Sequence, residues 1–216
     1  MIFGSVCSGV EAASVAWHPL GWQCAFVSEI DKHACAVLNH HYPYTPNLGN
    51  MENFSEWRDF AIDVLVGGTP CQSFSLAGLR RGLDDPRGSL MLTFGAIARR
   101  YRPTWILWEN VPGVLSSNRG RDFGTFLWML GELGYGVAYR TLDAQFFGLA
   151  QRRKRVFVVG YLGNWRPAAA VFLERASLLG NPAPSRKRGK KLPDQLAEAL
   201  RAAAFAQQTL TITERG

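Results

Sequence analysis

The sequence predicts an α/β fold in which helices flank a mostly parallel sheet, with an antiparallel hairpin at one edge. Short β-branched or aromatic runs alternate along the chain with segments of helical composition, and glycine, proline or small polar residues follow most of the runs. Alternation of this kind favours a parallel sheet. The 216 residues, 47% of them hydrophobic, are enough to enclose one proper core.

The predicted elements follow one another with short connections. Apolar runs predict six strands, at residues 1–7, 24–28, 64–66, 104–108, 135–143 and 154–162. Amphipathic or Ala-rich segments predict helices after the first turn to about residue 20, before residue 42, and at residues 90–101, 122–133 and 194–208. The strands at 135–143 and 154–162 form the predicted hairpin.

The loop after the third predicted strand carries a candidate nucleophile. Gly67 and Gly68 end the strand, and Pro70 then directs the backbone into Cys71. In open α/β sheets, ligands bind beyond the carboxyl ends of the strands, so a thiol placed there is available for chemistry. The alternative is a small, inert core residue, which is a frequent role of free cysteine.

The first two predicted strands form a candidate nucleotide-binding unit. The first strand turns through Ser8 and Gly9 into an Ala-rich segment, and the second ends at Glu29, twenty positions after Gly9. A carboxylate at that distance commonly binds ribose hydroxyls. The full glycine fingerprint is missing, so an ordinary strand–helix turn is an alternative. An acid that stabilises a helix N-terminus is another, and that role suits Asp31 better.

A carboxylate and a basic cluster follow later strands. Glu109 lies at the carboxyl end of the fourth predicted strand, so a parallel sheet would place it on the same edge as Cys71. Four consecutive basic residues occupy positions 152–155, where the connection between the last two predicted strands enters the second of them. The alternatives are a helix-capping acid for Glu109 and a solvated basic turn for the cluster.

Three of these segments together resemble the cytosine-C5 DNA methyltransferase family, in the family's order. They are Pro70-Cys71-Gln72, Glu109-Asn110-Val111 and the Gln-x-Arg-x-Arg pattern of residues 151–155. The resemblance covers residues 1–180 and implies a Rossmann-like, S-adenosylmethionine-dependent methyltransferase fold. It implies that Cys71 adds to cytosine C6 and that Glu109 hydrogen-bonds or protonates N3. Nearby guanidinium groups would raise the thiolate fraction of Cys71, and the candidates are Arg153 and Arg155.

The resemblance also implies a set of residues that contact S-adenosylmethionine. They follow the first three strands or begin the helix at residue 90, and they are Cys7, Ser8, Gly9, Glu29, Ile30, Asn50, Met51, Gly68, Pro70 and Leu90. Cys7 stands where the family usually has an aromatic residue, and Asn50 where it usually has aspartate. Both departures predict weaker cofactor binding, although an amide oxygen still accepts a hydrogen bond.

Charge and composition divide the chain into two predicted parts. The catalytic domain spans residues 1–180 with a net charge of +3, and residues 181–216, with +4, form a basic linker and a possible helical tail. A basic chain suits a polyanionic partner, but a net charge of only +3 on residues 1–180 does not require one. We expect the tail to be solvated rather than to make a specific DNA contact.

Composition also excludes several function classes. No apolar run is long enough to cross a membrane, and the N-terminus lacks the pattern of a secretory signal. The four cysteines and the paired His40 and His41 lack metal-ligand spacing, so we expect neither a metal site nor a disulfide framework. A reducing cytoplasm, bacterial or of a phage-infected bacterium, is the expected location.

The family's target-recognition domain and final motifs normally follow the Gln-x-Arg-x-Arg pattern, and residues 181–216 do not resemble them. The sequence therefore predicts the catalytic half of a methyltransferase that acts on a cytosine flipped out of double-stranded DNA. This half would be a fragment, a truncated product or one part of a split enzyme whose second chain carries recognition. Two alternatives remain: an RNA cytosine methyltransferase, and a non-catalytic binding module with the same fold.

Overall fold

The computed structural model describes residues 1–70, 90–147 and 150–178, with the backbone alone for residues 173–178. Its strands are β1 (Ile2–Val6), β2 (Gln23–Ser28), β3 (Val64–Gly67), β4 (Trp105–Asn110), β5 (Tyr135–Asp143) and β6 (Lys154–Leu162). Its α-helices are α1 (Ala12–Trp17), α2 (Lys32–His41), α3 (Leu90–Tyr101), α4 (Arg121–Glu132) and α5 (Arg166–Leu178). The predicted helix at residues 194–208 lies outside these ranges.

The six strands form one sheet in the order β2-β1-β3-β4-β6-β5. The strands β2, β1, β3 and β4 pair in parallel, whereas β6 runs antiparallel to both β4 and β5. The predicted fold class is therefore confirmed, including the hairpin of β5 and β6 at one edge. The hairpin strands begin and end at the predicted residues, and β4 extends two residues further than predicted, through Glu109 to Asn110.

Helices cover both faces of the sheet because successive strand residues point to opposite sides. On one face, Leu65 and Ile106 pack with residues of α3 and α4 such as Phe94 and Phe126. On the other face, Val64 and Trp105 pack with residues of α1 and α5, among them Ala16, Ala168 and Val171. A sheet covered on both sides leaves its carboxyl edge as the open end of the molecule.

Helix α5 was not predicted from the sequence. It begins at Arg166, directly before Pro167, a residue favoured in the first helical turn. Ala168, Val171 and Phe172 are buried at the spacing of one helix face, although alanines at the neighbouring positions obscure the periodicity. In the part of the chain that the structure describes, no helix has the length and apolar character needed to cross a bilayer.

Candidate active site

The β4–β6 ladder brings Glu109 and two arginines together. Glu109 lies opposite Phe157 in the antiparallel register. Opposed residues project to the same face, and so do residues two and four positions away, which are Arg155 and Arg153. The Nε atom of Arg155 lies 2.9 Å from Oε1 of Glu109, and a terminal nitrogen of Arg153 lies 3.9 Å from the same oxygen. The alternate spacing of the arginines thus places both guanidinium groups on one carboxylate.

Burial dominates the electrostatics of this cluster. The Glu109 side chain is 16% exposed, and burial raises the pKa of its carboxyl group more than Arg155 and Arg153 lower it. Although Arg155 forms an ion pair with Oε1, this oxygen has no well-aligned hydrogen bond. Burial and the neighbouring Arg155 lower the pKa of Arg153. The Glu109 carboxyl therefore keeps its proton to a higher pH than an exposed glutamate does.

The end of β4 also holds the loop that leads towards Cys71. Trp108 donates its indole N–H to Oγ1 of Thr69 at 2.9 Å, and the Asn110 amide donates to the Thr69 carbonyl oxygen at 2.8 Å. A Cβ atom added to Gly68 would lie 3.2 Å from Oε2 of Glu109, so glycine lets this loop run close to the carboxylate. Cys71 itself lies outside the described residues.

A cavity of about 370 Å³ opens at the carboxyl ends of β1, β2 and β3. It is lined by Cys7, Ser28, Glu29, Ile30, Gly49, Asn50, Met51, Gly68, Pro70 and Leu90. Eight of the ten residues predicted to contact a cofactor therefore share one cavity. Its volume lies in the range of small-molecule sites, and its mixture of apolar walls with one carboxylate suits a nucleoside-type ligand.

The other two predicted residues, Ser8 and Gly9, do not line this cavity but form hydrogen bonds with two residues that do. The Gly9 N–H donates to Oε2 of Glu29 at 2.7 Å, and the Ser28 N–H donates to the Ser8 hydroxyl oxygen at 3.1 Å. The other oxygen of Glu29 accepts from the N–H groups of Ile30 and Asp31, both at 2.8 Å. A carboxylate has about four acceptor positions, so Glu29 retains capacity for a ligand hydroxyl.

The two residues that depart from the family pattern both line the cavity. Cys7 adopts a left-handed conformation with φ +49°, and its thiol donates to the Met51 sulfur at 3.4 Å. Burial raises the pKa of Cys7 to about 12, so this thiol stays neutral. The Asn50 side-chain oxygen accepts from the Glu52 N–H at 3.0 Å and caps the 3₁₀ helix Met51–Glu56. Asp31 caps α2, as predicted.

A second, smaller cavity of about 50 Å³ lies between Glu109 and the larger one. Cys7 and Gly68 line both cavities, and Glu109 and Phe157 line the smaller. The carboxylate of the β4–β6 cluster and the larger cavity are therefore neighbours. Among the described residues, no three metal-ligating side chains gather into a cluster that could hold a metal ion.

Sequence reasoning did not single out Glu11, which the structure buries beneath the Ser8–Gly9 turn. Glu11 is 1% exposed and has φ +68°, and its Oε1 accepts from the Ser14 N–H at 3.1 Å at the start of α1. Burial raises the pKa of Glu11 to about 7, against the opposing effect of the surrounding serine hydroxyls. An acid between a predicted strand and a predicted helix is a recognisable N-cap signal. Its burial is not visible in the sequence.

Comparison with known proteins decides the family. The family model of C-5 cytosine-specific DNA methylases matches residues 1–204. The chain belongs to this family. The chain is also similar in structure to a DNMT2 mutant from Spodoptera frugiperda, with a TM-score of 0.59, 22% identity, and coverage of 76% of this chain and 51% of that one. Likeness at this identity supports the methyltransferase fold.

Two relatives show how much of a longer protein this chain matches. It is 41% identical to a DNA N-6-adenine-methyltransferase of Escherichia phage P1, over 87% of this chain and 32% of the relative. It is 34% identical to the type II methyltransferase M.AquIA of Picosynechococcus sp., over 72% of this chain and 70% of the relative. Across the phage protein and two further relatives, the chain spans 32 to 44% of their length.

Proposed function

We propose that this methylase transfers a methyl group from S-adenosylmethionine to C5 of cytosine in DNA, through a covalent bond between Cys71 and C6. The observation that carries the proposal is the cluster of Glu109, Arg153 and Arg155 beside the cavity at the sheet edge. The loop that leads into Pro70-Cys71-Gln72 begins next to Glu109. Membership of the C-5 cytosine-specific DNA methylase family supports the same chemistry.

Cytosine C5 is a poor nucleophile, and addition of a thiolate to C6 overcomes this. The new bond converts the ring to an enamine, whose C5 attacks an electrophilic methyl group. Loss of the C5 proton and elimination of the thiolate then restore the ring. Cys71 is our candidate for this thiolate. An ordinary thiol with a pKa of about 8.5 is only a few per cent ionised at neutral pH, so Cys71 needs cations nearby.

Glu109 is our candidate for the group that acts at cytosine N3. A protonated carboxyl donates a hydrogen bond or a proton to N3 as negative charge builds in the ring during thiolate attack. The burial that raises the pKa of Glu109 favours this protonated form. Arg155 and Arg153 lie within ion-pair distance of Glu109, so they orient the carboxyl and supply positive charge at the same rim.

We assign the cavity of about 370 Å³ to S-adenosylmethionine, which supplies the methyl group on a positively charged sulfonium. Glu29 would accept hydrogen bonds from the ribose hydroxyls, and the amide of Asn50 would accept one from the base. Ile30, Met51 and Leu90 provide apolar walls. Gly68 and Pro70 also line the cavity, and Pro70 directly precedes Cys71 in the sequence.

Double-stranded DNA is the proposed partner, with the target cytosine flipped out of the stack at a cost of a few kcal/mol. The methylase matches about a third of the phage relative. We therefore infer that contacts which read the DNA sequence lie outside the described residues, in the same polypeptide or in a second chain. The proposed setting is the cytoplasm of a bacterium or of a phage-infected bacterium.

A mechanism-based trap tests the proposal. The full chain, with S-adenosylmethionine and duplex DNA containing 5-fluorocytosine, should form a denaturation-resistant adduct that Cys71→Ser abolishes. With ordinary DNA, nucleoside mass spectrometry should detect 5-methylcytosine. Formation of N6-methyladenine instead, or methylation of transfer RNA in preference to DNA, would overturn the substrate assignment. Cofactor binding without an adduct, even with a recognition chain supplied, would indicate the non-catalytic module.

A further inference from the structure

We propose that Asp143 is a positioning residue for the proposed acid. Its buried side chain anchors the backbone of Arg153 and thereby holds the Arg153 guanidinium group beside Glu109. The inference rests on the proposed role of Glu109 at cytosine N3. The three residues that carry it, Asp143, Arg153 and Glu109, all lie in the described part of the chain.

The β5–β6 ladder fixes the position of Arg155 but ends before Arg153. Arg155 lies inside β6, where it pairs with Leu142. The last pair of the ladder joins Asp143 to Lys154, which is the first residue of β6. Because Arg153 precedes the strand, contacts other than the ladder must hold its backbone.

The end of β5 supplies these contacts. Oδ1 of Asp143 accepts a hydrogen bond from the Arg153 N–H at 3.1 Å, and the Ala144 N–H donates to the Arg153 carbonyl oxygen at 3.0 Å. Asp143 is only 7% exposed, so water competes little for its bond. The Asp143 side chain thus extends the ladder by one residue and fixes the point at which the chain enters β6.

Asp143 reaches Glu109 through the backbone rather than by direct contact. Successive strand residues alternate between faces, so Asp143, paired with Lys154, projects to the face opposite that of Arg155 and Glu109. A terminal nitrogen of Arg153 lies 3.9 Å from Oε1 of Glu109, and this cation lowers the pKa of the carboxyl group against the larger effect of burial. A displaced Arg153 backbone would carry the cation away from the carboxyl group.

Capping of the short 3₁₀ helix Ala144–Phe147 does not by itself explain the contacts of Asp143. A cap requires an oxygen that accepts from the Gln145 N–H, and Oδ1 lies 3.4 Å from that nitrogen. The same oxygen lies closer to the nitrogen of Arg153, ten positions further along the chain. The Gln145 side-chain amide donates to the other oxygen, Oδ2, at 2.8 Å. The bond to Arg153 therefore joins two strands in addition to any capping.

The test is an NMR titration of the Glu109 carboxyl carbon in the full chain, whose signal is identified by its loss in Glu109→Gln. Asp143→Leu removes both oxygens at similar side-chain volume and should raise the pKa of Glu109, as Arg153→Gln should. The double variant of Asp143→Leu and Arg153→Gln should shift no further than Arg153→Gln alone. Exchange of the Arg153 amide hydrogen should become about three- to tenfold faster in Asp143→Leu, as expected for the loss of one hydrogen bond.

Two variants separate positioning from charge and from general loosening of the fold. Asp143→Asn removes the negative charge but keeps an oxygen for the Arg153 N–H. Loss of the charge alone favours the ionised form of Glu109, so Asp143→Asn should not raise its pKa, whereas Asp143→Leu should. Asp122→Leu replaces another buried aspartate, which binds the side chains of Ser117 and Asn118, and should leave the pKa of Glu109 unchanged.

An unchanged pKa of Glu109 in Asp143→Leu, additive shifts in the double variant, or an equal rise in Asp143→Asn or Asp122→Leu would each overturn the inference. Asp143→Ala removes the same oxygens and takes the place of Asp143→Leu if that variant does not fold.

The 5-fluorocytosine trap is read separately, because the titration needs neither cofactor nor DNA. An adduct in the wild type together with an unchanged pKa of Glu109 in Asp143→Leu would reject the role of Asp143 alone. If the wild type forms no adduct, the proposed function fails. A raised pKa in Asp143→Leu would then show only that Asp143 controls the charge around Glu109.

Discussion

Glu109 shows how burial and charge compete at one residue. Two guanidinium groups lie within 4 Å of its Oε1, and each favours the carboxylate, but removal of the side chain from water favours the neutral acid more strongly. The net result is a raised pKa next to fixed positive charge. A residue in this state can donate a proton and then has its anion stabilised by the same arginines.

Replacement of this acid tests its role at the residue scale. Glu109→Gln keeps the size of the side chain but removes the acidic proton, so we expect methyl transfer to fall by about 10²-fold or more. Transfer of labelled methyl groups to DNA measures the effect. Glu132→Gln, on the exposed end of α4, is the matched control and should retain activity. Equal activity of Glu109→Gln and the control would remove Glu109 from the mechanism.

Glu11 makes a different prediction, about stability. Its pKa in the folded state, about 7, lies above its usual value of 4.5, so the folded chain holds this proton through a pH range where the unfolded chain has released it. The free energy of unfolding should therefore fall as pH rises from about 4.5 to 7. The fall attributable to Glu11 is at most about 3 to 4 kcal/mol, since one pKa unit corresponds to about 1.4 kcal/mol.

Glu11→Gln cannot ionise and retains an oxygen for the Ser14 N–H, so its stability should depend less on pH across this range. Urea unfolding at a series of pH values measures the difference. Glu56→Gln, at an exposed position, should keep the wild-type slope. Parallel curves for Glu11→Gln and the wild type would show that Glu11 does not titrate in this window.

At the scale of elements, the β5–β6 hairpin decides which basic residues reach Glu109. Arg153 and Arg155 share its face and are half-buried, whereas Arg152 and Lys154, between and beside them, are exposed. This alternation follows from the twofold period of the strand. Four adjacent basic residues therefore divide into two that contact the site and two that face solvent.

The two faces of the hairpin predict different outcomes for two substitutions, a loss of activity for Arg155→Gln and no change for Arg152→Gln. Arg155→Gln removes the nearest cation from Glu109 and should raise the pKa of this carboxyl group further. Methyl transfer should fall several-fold because the Glu109 anion formed on proton donation loses its nearest stabilising cation, and the pH profile should shift upwards. Arg152→Gln removes the same charge from the exposed face and should change neither. Similar pH–rate profiles for the two variants would contradict this division.

Helix α3 supports the larger cavity from two directions. Leu90, at its first residue, lines the cavity. Arg100, near its other end, donates to the backbone carbonyls of Phe54 and Trp57 and forms an ion pair with Asp59 at 3.1 Å. These contacts fasten α3 to the 3₁₀ helix Met51–Glu56 and its C-cap. Because Met51 lines the cavity, α3 supports the cavity wall through this helix.

Loss of the Arg100 contacts should affect both stability and ligand binding. Arg100→Met leaves the two carbonyls without their charged donor and should cost about 2 kcal/mol of unfolding free energy. It should also weaken binding of S-adenosylmethionine, because Asn50 and Met51 lose their support. Calorimetric titration and denaturant unfolding measure the two effects. Arg166→Met, at an exposed position, is the control. Unchanged cofactor affinity in Arg100→Met would show that the Arg100 contacts do not support the cavity.

At the scale of the whole molecule, the proposed cofactor cavity joins segments from distant parts of the sequence. Its walls come from the ends of β1, β2 and β3 with the loops that follow them, from residues 49–51 beyond α2, and from the start of α3. A ligand that binds only the folded arrangement stabilises it by mass action, by about 2.7 kcal/mol at a concentration 100 times its dissociation constant. Thermal unfolding with and without S-adenosylmethionine should therefore show a rise in the midpoint.

This stabilisation should not require DNA, because residues of this chain form the cavity walls named above. Glu29→Gln should reduce the rise in midpoint, whereas Glu52→Gln, near the same cavity but outside its lining residues, should reduce it less. An equal rise for wild type and Glu29→Gln would remove Glu29 from the cofactor site.

The sequence by itself determined the sheet and most of the cavity, because those features depend on local patterns. Short apolar runs identified all six strands, and the Gln-x-Arg-x-Arg pattern singled out Arg153 and Arg155. The order of three short motifs predicted the family. Eight of the residues that the resemblance implies for cofactor binding share one cavity, because the strand ends, the loop after α2 and the start of α3 that carry them meet at one edge of the sheet.

Only the tertiary structure decided how these parts support one another. Helix α5 carries a weak local signal, and its position became clear only from its packing on the sheet. The burial of Glu11 and the bond from Trp108 to Thr69, 39 positions apart, depend on contacts between elements that no local pattern encodes. The raised pKa of Glu109 also depends on contacts between elements. It reflects the balance between desolvation and the nearby positive charge that arises when β4 and β6 pair.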